Sequence, residues 1–499
     1  MPEQHIVSGA RRRARWIVLA TAVAIVGGRS AVFLIWPQSY FDSDQAIVGL
    51  MAKHLAERRA FPLFLYGQTY MLGVEAWLAA PLFAIFGVSA TLLKLPLLAM
   101  NVVIALALVT AFVRDMALTW WLAAVASLPF LIPSPGITAV FLDASGGSVE
   151  PLLYVVLLWM TRRHPLWCGL VFGIGFLNRE FTVYGLAALV CIDAIDRRLF
   201  TRDTVRHYVK VLAVAAVVWI AVQGLESISS GSGPGTTIRD TFTASNNLAE
   251  VAGRVCISPA KTAAGVRRLF SEHWPAVFGT GVYPLTTFSI ESRVTQGLAG
   301  SSWLVVMTAA LGVVAIALGS RRGRPAAAPR LGQYLILAAV FSVAGYIVGR
   351  CGEVSFYSMR YDMLSVLGGV GLAGWVLSTH PPLLLRAAWL AAFGVWIAIQ
   401  AGAHVRLATE YASDPPVPAK QLVIRALDAQ GIRYGRADYW LAYYIDFMTN
   451  ERIVLASEAP QRILLYNKIV DEHAAEAVRL SRRRCSGGTE LAPGVYRCP

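Results

Sequence analysis

Long apolar runs follow one another along this chain, separated by short polar segments, and about 20 such residues suffice to cross a bilayer as a helix. The pattern predicts membrane spans at roughly 16–36, 90–112, 118–135, 148–161, 165–178, 182–195, 207–226, 301–319, 331–348, 361–378 and 383–402. The first run follows the basic cluster Arg11-Arg12-Arg13-Ala14-Arg15. It is read as a span and not a cleaved signal, because it is long, lacks a small-residue cleavage site and precedes many more spans.

Three segments between or after the spans are too long to be simple connectors. In 37–89, Ile47, Leu50, Met51 and Leu55 share one helical face of Gln45–Arg58 while Lys53, Glu57 and Arg58 lie elsewhere. This predicts an amphipathic helix lying at the membrane interface. A second apolar helix, Val74–Phe86, is expected at the same boundary. In 227–300 a Gly/Ser tract, "SISSGSGPGTT", precedes "SPAKTAAGVRRLFSEHW". There Ser258 suits an N-cap, Pro259 the first helical position, and Lys261, Arg267 and Arg268 a basic surface. The segment reads either as a mobile cover over a membrane-level site or as a solvated loop meeting anionic lipid. In 403–499, "PAKQLVIRALDAQG" predicts a helix ending at Gly431, "ERIVLAS" a strand, and "RILLYNKIVDEHAAEAVRL" a strand-like start with a helical finish. The tail therefore predicts a small α/β domain. Two units result, a membrane part over 1–402 and this domain over 403–499; no internal repeat is evident.

Composition agrees with the pattern. Of 499 residues 56% are hydrophobic and 15% charged, well below the quarter usual in soluble domains. Lys and Arg exceed Asp and Glu by 44 − 30 = 14, and the surplus sits mainly in short loops: Arg114, Arg162-Arg163, Arg197-Arg198 with Arg202, and Arg321, Arg322, Arg324 and Arg330. Placing the amino terminus inside puts all of these on the cytoplasmic side, and about eleven spans then leave the carboxyl-terminal domain outside. The expected location is a bacterial inner membrane. With the basic excess explained by topology, nucleic acid is not expected as a partner, whereas membrane lipid is. Cys168 and Cys191 fall in spans; Cys256, Cys351, Cys485 and Cys498 fall on the disulfide-permissive side. Cys485 and Cys498 are expected to pair, closing a short Gly- and Pro-containing loop.

The candidate chemistry starts at "YFDSDQAIVGLMAKHLAERRAFPLFLYGQTYMLGVEAWL", residues 40–78, directly after the first span. Asp42 and Asp44 stand before a helix, where unpaired N–H groups and the helix dipole favour a carboxylate. One of them serves as an N-cap; a cap needs only one acid, so the other is left for binding or proton transfer. Glu75, Asp143, Glu150, Arg179 beside Glu180, and the set Arg350, Glu353, Arg360 and Asp362 recur at the same expected level. Each alone is explained by capping, snorkelling or ion pairing. Ionisable groups recurring at one membrane depth point instead to a site.

The acidic pair after the first span ("SDQA"), the stretch "FPLFLYGQTYMLG" and the helix end "AIFG" resemble the GT-C class of glycosyltransferases. They are similar in particular to the branch holding protein O-mannosyltransferases and bacterial lipid A aminoarabinose transferases. The resemblance covers roughly 16–200, and "SMRYDMLSVLGG" is weakly like that branch's R-Y element. It implies a GT-C-like membrane protein that moves a sugar from a polyprenyl-phosphate donor to a glycan, lipid or protein acceptor at the outer face. Asp44 matches the branch's catalytic aspartate. The following residue is often Glu there but is Gln45 here, so Asp42 is the candidate for a second acid. Glu150 lies near another acidic position of the branch. Tyr70, Glu75, Asp143, Glu180 and Tyr361 are further substrate-side candidates. Arg is suited to a leaving phosphate because its planar fork can bond two oxygens, which makes Arg179, Arg293, Arg350 and Arg360 candidates, with Lys261 and Arg29. Acids alone are compatible with a divalent cation without requiring one, and no metal ligand is assigned.

The tail stretch "ADYWLAYYIDFMTNERI" spaces Tyr439, Trp440, Tyr443, Tyr444 and Phe447 at near-helical intervals. Stacking on a sugar is one reading; packing of a helix in the core or against the membrane is the stronger one. Two other functions compete. A secondary transporter is disfavoured by the lack of paired halves and by acids at the interface instead of mid-bilayer. A scaffold or sensor would use the tail but leave the first-loop acids without a role.

Overall fold

A computed structural model describes residues 2–68, 71–229, 258–279, 302–322, 329–350, 362–415 and 417–499. The chain opens with α1 (Pro2–Ile35), a short 3-10 turn (Pro37–Tyr40), α2 (Ser43–Ala56) and α3 (Val74–Phe86). The bundle continues through α4 (Ala90–Met116), α5 (Trp120–Leu131), α6 (Pro135–Phe141), α7 (Glu150–Thr161), α8 (Pro165–Asn178), α9 (Thr182–Ile195) and α10 (Arg202–Ser229). Then come α11 (Pro259–Arg268), α12 (Trp274–Val277), α13 (Ser302–Arg322), α14 (Arg330–Arg350), α15 (Ser365–Ser378) and α16 (Leu383–Ser413). As expected, Ser258 caps α11, its Oγ accepting from Lys261 N.

Every predicted span coincides with helix, but not every helix is long. Among the described residues six are long and apolar enough to cross a membrane, including α1 from Arg12, α4, α10 and α16. The run at 118–135 is instead two helices, α5 and α6, bent 85° across residues 132–134. Pro133 and Pro135 cause the break, since each lacks an N–H and its ring clashes with a continuing helix. The exposed carbonyls are met from other helices: Arg29 of α1 donates to Phe130 O at 2.8 Å, and His404 of α16 reaches Pro133 O at 2.9 Å. The helices α7, α8, α9 and α15 have only 12 to 14 residues, about 18–21 Å at 1.5 Å per residue against a core of about 30 Å. They pack against neighbouring helices, α7 on α4 and α9, α15 on α14 and α5. The outward-facing α10 exposes Val205, Val209, Leu212, Val217 and Ile220 on its flanks, the surface of a lipid-facing helix.

The tail folds as α17 (Ala419–Ala429), β1 (Tyr434–Ala437), α18 (Tyr439–Met448), β2 (Val454–Ser457), α19 (Leu464–Glu472), β3 (Val478–Ser481), β4 (Thr489–Ala492) and β5 (Val495–Cys498). The sheet order is β2-β1-β3-β5-β4, with β1 parallel to β2 and β3, and β5 antiparallel to β3 and β4. The expectation for 462–480 was reversed: its start is the helix α19, which buries Tyr466 and Val470, and its end is β3. Cys485 and Cys498 form the expected disulfide, across the β4–β5 hairpin. Cys256 and Cys351 lie outside the described residues.

The α2 helix is not an interfacial helix. Ser43 and Gln45 through Leu55 are all buried, Lys53 and His54 included, because α18 of the α/β domain covers the face that was to meet water or lipid. Approach is close: a Cβ on Gly49 would stand 2.4 Å from the Phe447 ring. Phe447 in turn stacks on Phe41, with centroids 5.1 Å apart. Glu451 closes the polar edge of this seam. Its Oε1 accepts from Tyr466 at 2.9 Å and meets His54 Nε2 at 3.0 Å, its Oε2 takes Arg59 at 2.6 Å, and Lys53 pairs with it as well. Burial alone would raise the Glu451 carboxyl, yet His54, Arg59 and Lys53 hold it far below the usual carboxylate range.

Candidate active site at the start of α2

Asp42 and Asp44 divide the two roles expected of them. Asp42 is the N-cap of α2, its Oδ1 accepting from Gln45 N at 3.0 Å, while Asp44 lies in the first turn. Both are half-buried. The phenol of Tyr439, the first residue of α18, donates to Asp44 Oδ1. Burial and this carboxylate push the Tyr439 hydroxyl far above its ordinary pKa, so it stays a proton donor. The aromatic helix of the tail thus packs in the seam, with Tyr439, Tyr443, Tyr444 and Phe447 all buried, and touches the acidic pair from above.

Two lysines that the sequence reading passed over flank Asp42. Lys94, in the second turn of α4, is buried and donates to Tyr40 O and Leu142 O, both at 3.1 Å. Its ammonium interacts with Asp143, Asp42 and Glu75, so one cation links three predicted acids from three separate elements. Lys420 of α17 is also buried, its Nζ 4.5 Å from the centre of the Tyr444 ring. Burial brings its pKa down to about 8 against the pull of Asp42 and Asp438.

Beneath them sits a carboxyl pair. Glu75 at the start of α3 and Glu150 at the start of α7 are both fully buried and face one another within hydrogen-bonding reach. Glu75 Oε2 accepts from Gly146 N at 2.9 Å, whereas neither Glu150 oxygen meets a donor from another residue type among the described residues. Burial, then the facing Glu150, push the Glu75 carboxyl well above its ordinary value. The turn carrying Gly146 is clamped by Arg179, which donates from Nε to Gly146 O at 2.7 Å. Gly147 has φ +125°, and a Cβ there would stand 2.2 Å from the Arg179 side chain, so only glycine fits. Arg179 is therefore partly spent on the backbone.

The structure thus joins Asp42, Asp44, Glu75, Asp143 and Glu150 into one cluster with Arg179 at its edge. Glu180, next to Arg179, is half-buried. Lys261 stands exposed on α11 and makes no ion pair among the described residues. Arg29 is committed inside the bundle, to Phe130 O and to Asn101 Oδ1 at 2.8 Å. Tyr70, Arg293, Arg360 and Tyr361 lie outside the described residues, as does the side chain of Arg350, the last residue of α14; so does most of the expected cover over 227–300. Among the described residues no three His, Cys, Asp or Glu side chains converge to hold a metal ion. The charge balancing the acids is supplied by Lys94 and Lys420. Lys94 had a signal, a lone lysine in the apolar run "ATLLKLPLLAM", where an ionisable residue is a candidate by default. Lys420 had none, since its burial comes from domain docking.

No protein-family model matches this sequence, and no curated protein matches it significantly. Solved structures do. The apo oligosaccharyltransferase of Archaeoglobus fulgidus is similar over 94% of this chain and 69% of its own, at 12% identity and TM-score 0.50. A structure of the Archaeoglobus enzyme AglB with an inhibitory peptide and a dolichol-phosphate matches over the same shares at TM-score 0.47 and 12% identity. ArnT from Cupriavidus metallidurans, bound to undecaprenyl phosphate, matches over 93% of both chains at TM-score 0.38 and 12% identity. The fold assignment rests on the first: the chain has a GT-C class fold, that of a polytopic, mainly helical membrane protein carrying a small α/β domain.

Proposed function

We propose that this protein is a membrane glycosyltransferase that moves a sugar from a polyprenyl-phosphate carrier to a hydroxyl of a glycan, lipid or protein acceptor. The observation that carries the reading is Asp44, on the first turn after the first span of a GT-C fold, fixed by Tyr439 and set among four further acids. In the reaction the acceptor oxygen bonds to the anomeric carbon, the carbon–oxygen bond to the carrier phosphate breaks, and the acceptor proton passes to the Asp44 carboxylate. The Tyr439 hydroxyl on Oδ1 fixes the orientation of that carboxylate. Asp42 positions Asp44 or the sugar hydroxyls, Lys420 and Arg179 add positive charge near the phosphate, and Glu75 and Glu150 hold the floor. The membrane part, 1–402, supplies the chemistry, and the domain over 403–499 is proposed to face the outside of a bacterial inner membrane, with the amino terminus cytoplasmic.

The test is turnover of a radiolabelled polyprenyl-phosphate sugar by Asp44→Asn and Asp42→Asn at matched membrane levels. Losing a general base costs about 10²–10⁴ in rate, so Asp44→Asn should be inactive while still binding the donor. Near wild-type turnover by Asp44→Asn would reduce it to a helix-start charge and overturn the assignment.

A further inference from the structure

A polar cavity lies at the end of the bundle away from the acidic cluster. Lys94 and Arg114 belong to the same helix, α4, twenty residues apart, which places them roughly 30 Å from each other along its axis. Around Arg114 a cavity of about 560 Å³ opens between the ends of α4, α7 and α9 and the starts of α10 and α14.

The cavity wall is a set of charges most of which are already matched. Asp115 accepts from Arg114 at 2.9 Å and from the Trp159 indole at 2.7 Å, and pairs with Arg162 at 3.3 Å. Asp196 pairs with Arg330, and Asp193 accepts from Tyr208 OH at 2.7 Å. Two lining cations, Arg163 and Arg198, have no ion-pair partner among the described residues and are exposed at the rim. Asp203, also exposed at the rim, is the remaining lining acid. Arg197, Arg202 and Arg206 stand in the same loop and first turn, so the approach to the cavity is strongly positive. The surroundings are apolar. Leu166 and Trp167 beside Arg163, Phe200 beside Arg198, and the flank of α10 are all exposed. Exposed Trp and Phe next to Arg mark the headgroup level of a membrane.

We propose that this cavity binds the phosphate headgroup of an anionic phospholipid, with Arg163 and Arg198 on the phosphate and the acyl chains lying along α10. A basic pocket between helix ends, with the start of a lipid-facing helix in its wall, suits that ligand. A soluble phosphate ester shares the headgroup chemistry but gains nothing from the apolar flank.

Native mass spectrometry of the full-length protein tests this, with phosphatidylglycerol, phosphatidylcholine and glycerol phosphate as separate probes. One phosphatidylglycerol should bind more tightly than phosphatidylcholine. Two surface cations contribute roughly five-fold each in affinity, so Arg163→Ala/Arg198→Ala should weaken it about twenty-five-fold. Removing two exposed cations of the α/β domain, Lys468→Ala/Arg484→Ala, should leave it unchanged. Phosphatidylglycerol affinity within three-fold of wild type in the first variant, or equal binding of phosphatidylcholine, overturns the proposal. Glycerol phosphate binding as tightly as the lipid would overturn the lipid assignment and give the site to a soluble ester.

Discussion

Glu451 holds the seam between α18 and α2, and its removal should open that seam measurably. In Glu451→Gln the side chain keeps its shape and loses its charge, leaving Lys53, His54 and Arg59 without the carboxylate they converge on. The Glu451 side chain is 10% exposed and that of Lys53 6%, so the pair belongs with buried ion pairs. Breaking one from a single side costs about 3–5 kcal/mol. At about 1.4 kcal/mol per factor of ten, undocking of α18 should become roughly 10²–10⁴-fold more frequent. Hydrogen exchange of the amides in Tyr443–Phe447 and in α2 reads this directly. Glu57→Gln is the control: Glu57 also touches Lys53 and Arg59 but is 41% exposed, and such pairs contribute at most about 1 kcal/mol. The pH dependence has a definite sign. Because the folded carboxyl is held far below its unfolded value of about 4.3, its contribution is complete above that value and drains away as pH falls below it. Protection in Glu451→Gln within ten-fold of wild type at pH 7 would refute the reasoning.

Three further outcomes are expected. Glu75 has a raised carboxyl, so it costs the folded state stability as pH climbs above about 4.3; Glu75→Gln should be at least as stable as wild type at pH 8, with its advantage fading toward pH 5, in paired thermal scans. Lys94→Met removes the cation from among Asp143, Asp42 and Glu75 and should destabilise by about 3–5 kcal/mol, and Asp143→Asn in the same chain should recover part of this, which a double-mutant cycle quantifies. Cys485→Ser opens the loop closed to Cys498, a separation of 13 residues, and should cost about 3 kcal/mol, seen as faster proteolysis of β4 and β5.

Much of the membrane part was legible because apolar length is a strong signal: all eleven predicted runs became helix. What failed were properties set by neighbours. The Gln45–Arg58 helix carries an amphipathic pattern, and only the docking of α18 turns its polar face inward, so Lys53 and His54 read as surface residues until Glu451 is seen. Pro133 and Pro135 stood plainly within the run at 118–135, yet hydrophobicity outweighed them in the reading. In 462–480 the apolar start suits strand or helix equally. Pairing of Val478 with Gly435 in β1 settles the matter in space, since the two are 43 positions apart. Of the candidate site, the acids that cluster around the start of α2 were singled out in the sequence by their shared expected level at the membrane. Their cations were found less well, because Lys420 lies in the remote tail and Lys94 was absorbed into a span.

The break between α5 and α6 also bears on how the chain is made. Its carbonyl at Phe130 is met by Arg29 and that at Pro133 by His404, residues from the first and last long helices. Irregular backbone at membrane depth is tolerated only when protein or a water-filled cavity satisfies it. During synthesis Arg29 is present when residues 130–134 leave the ribosome, but His404 is translated some 270 residues later. The elbow must therefore wait, half-satisfied, through the insertion of every intervening helix. Nascent chains that stop short of α16 would carry an exposed polar defect in the bilayer, the kind of feature that membrane quality-control proteases degrade.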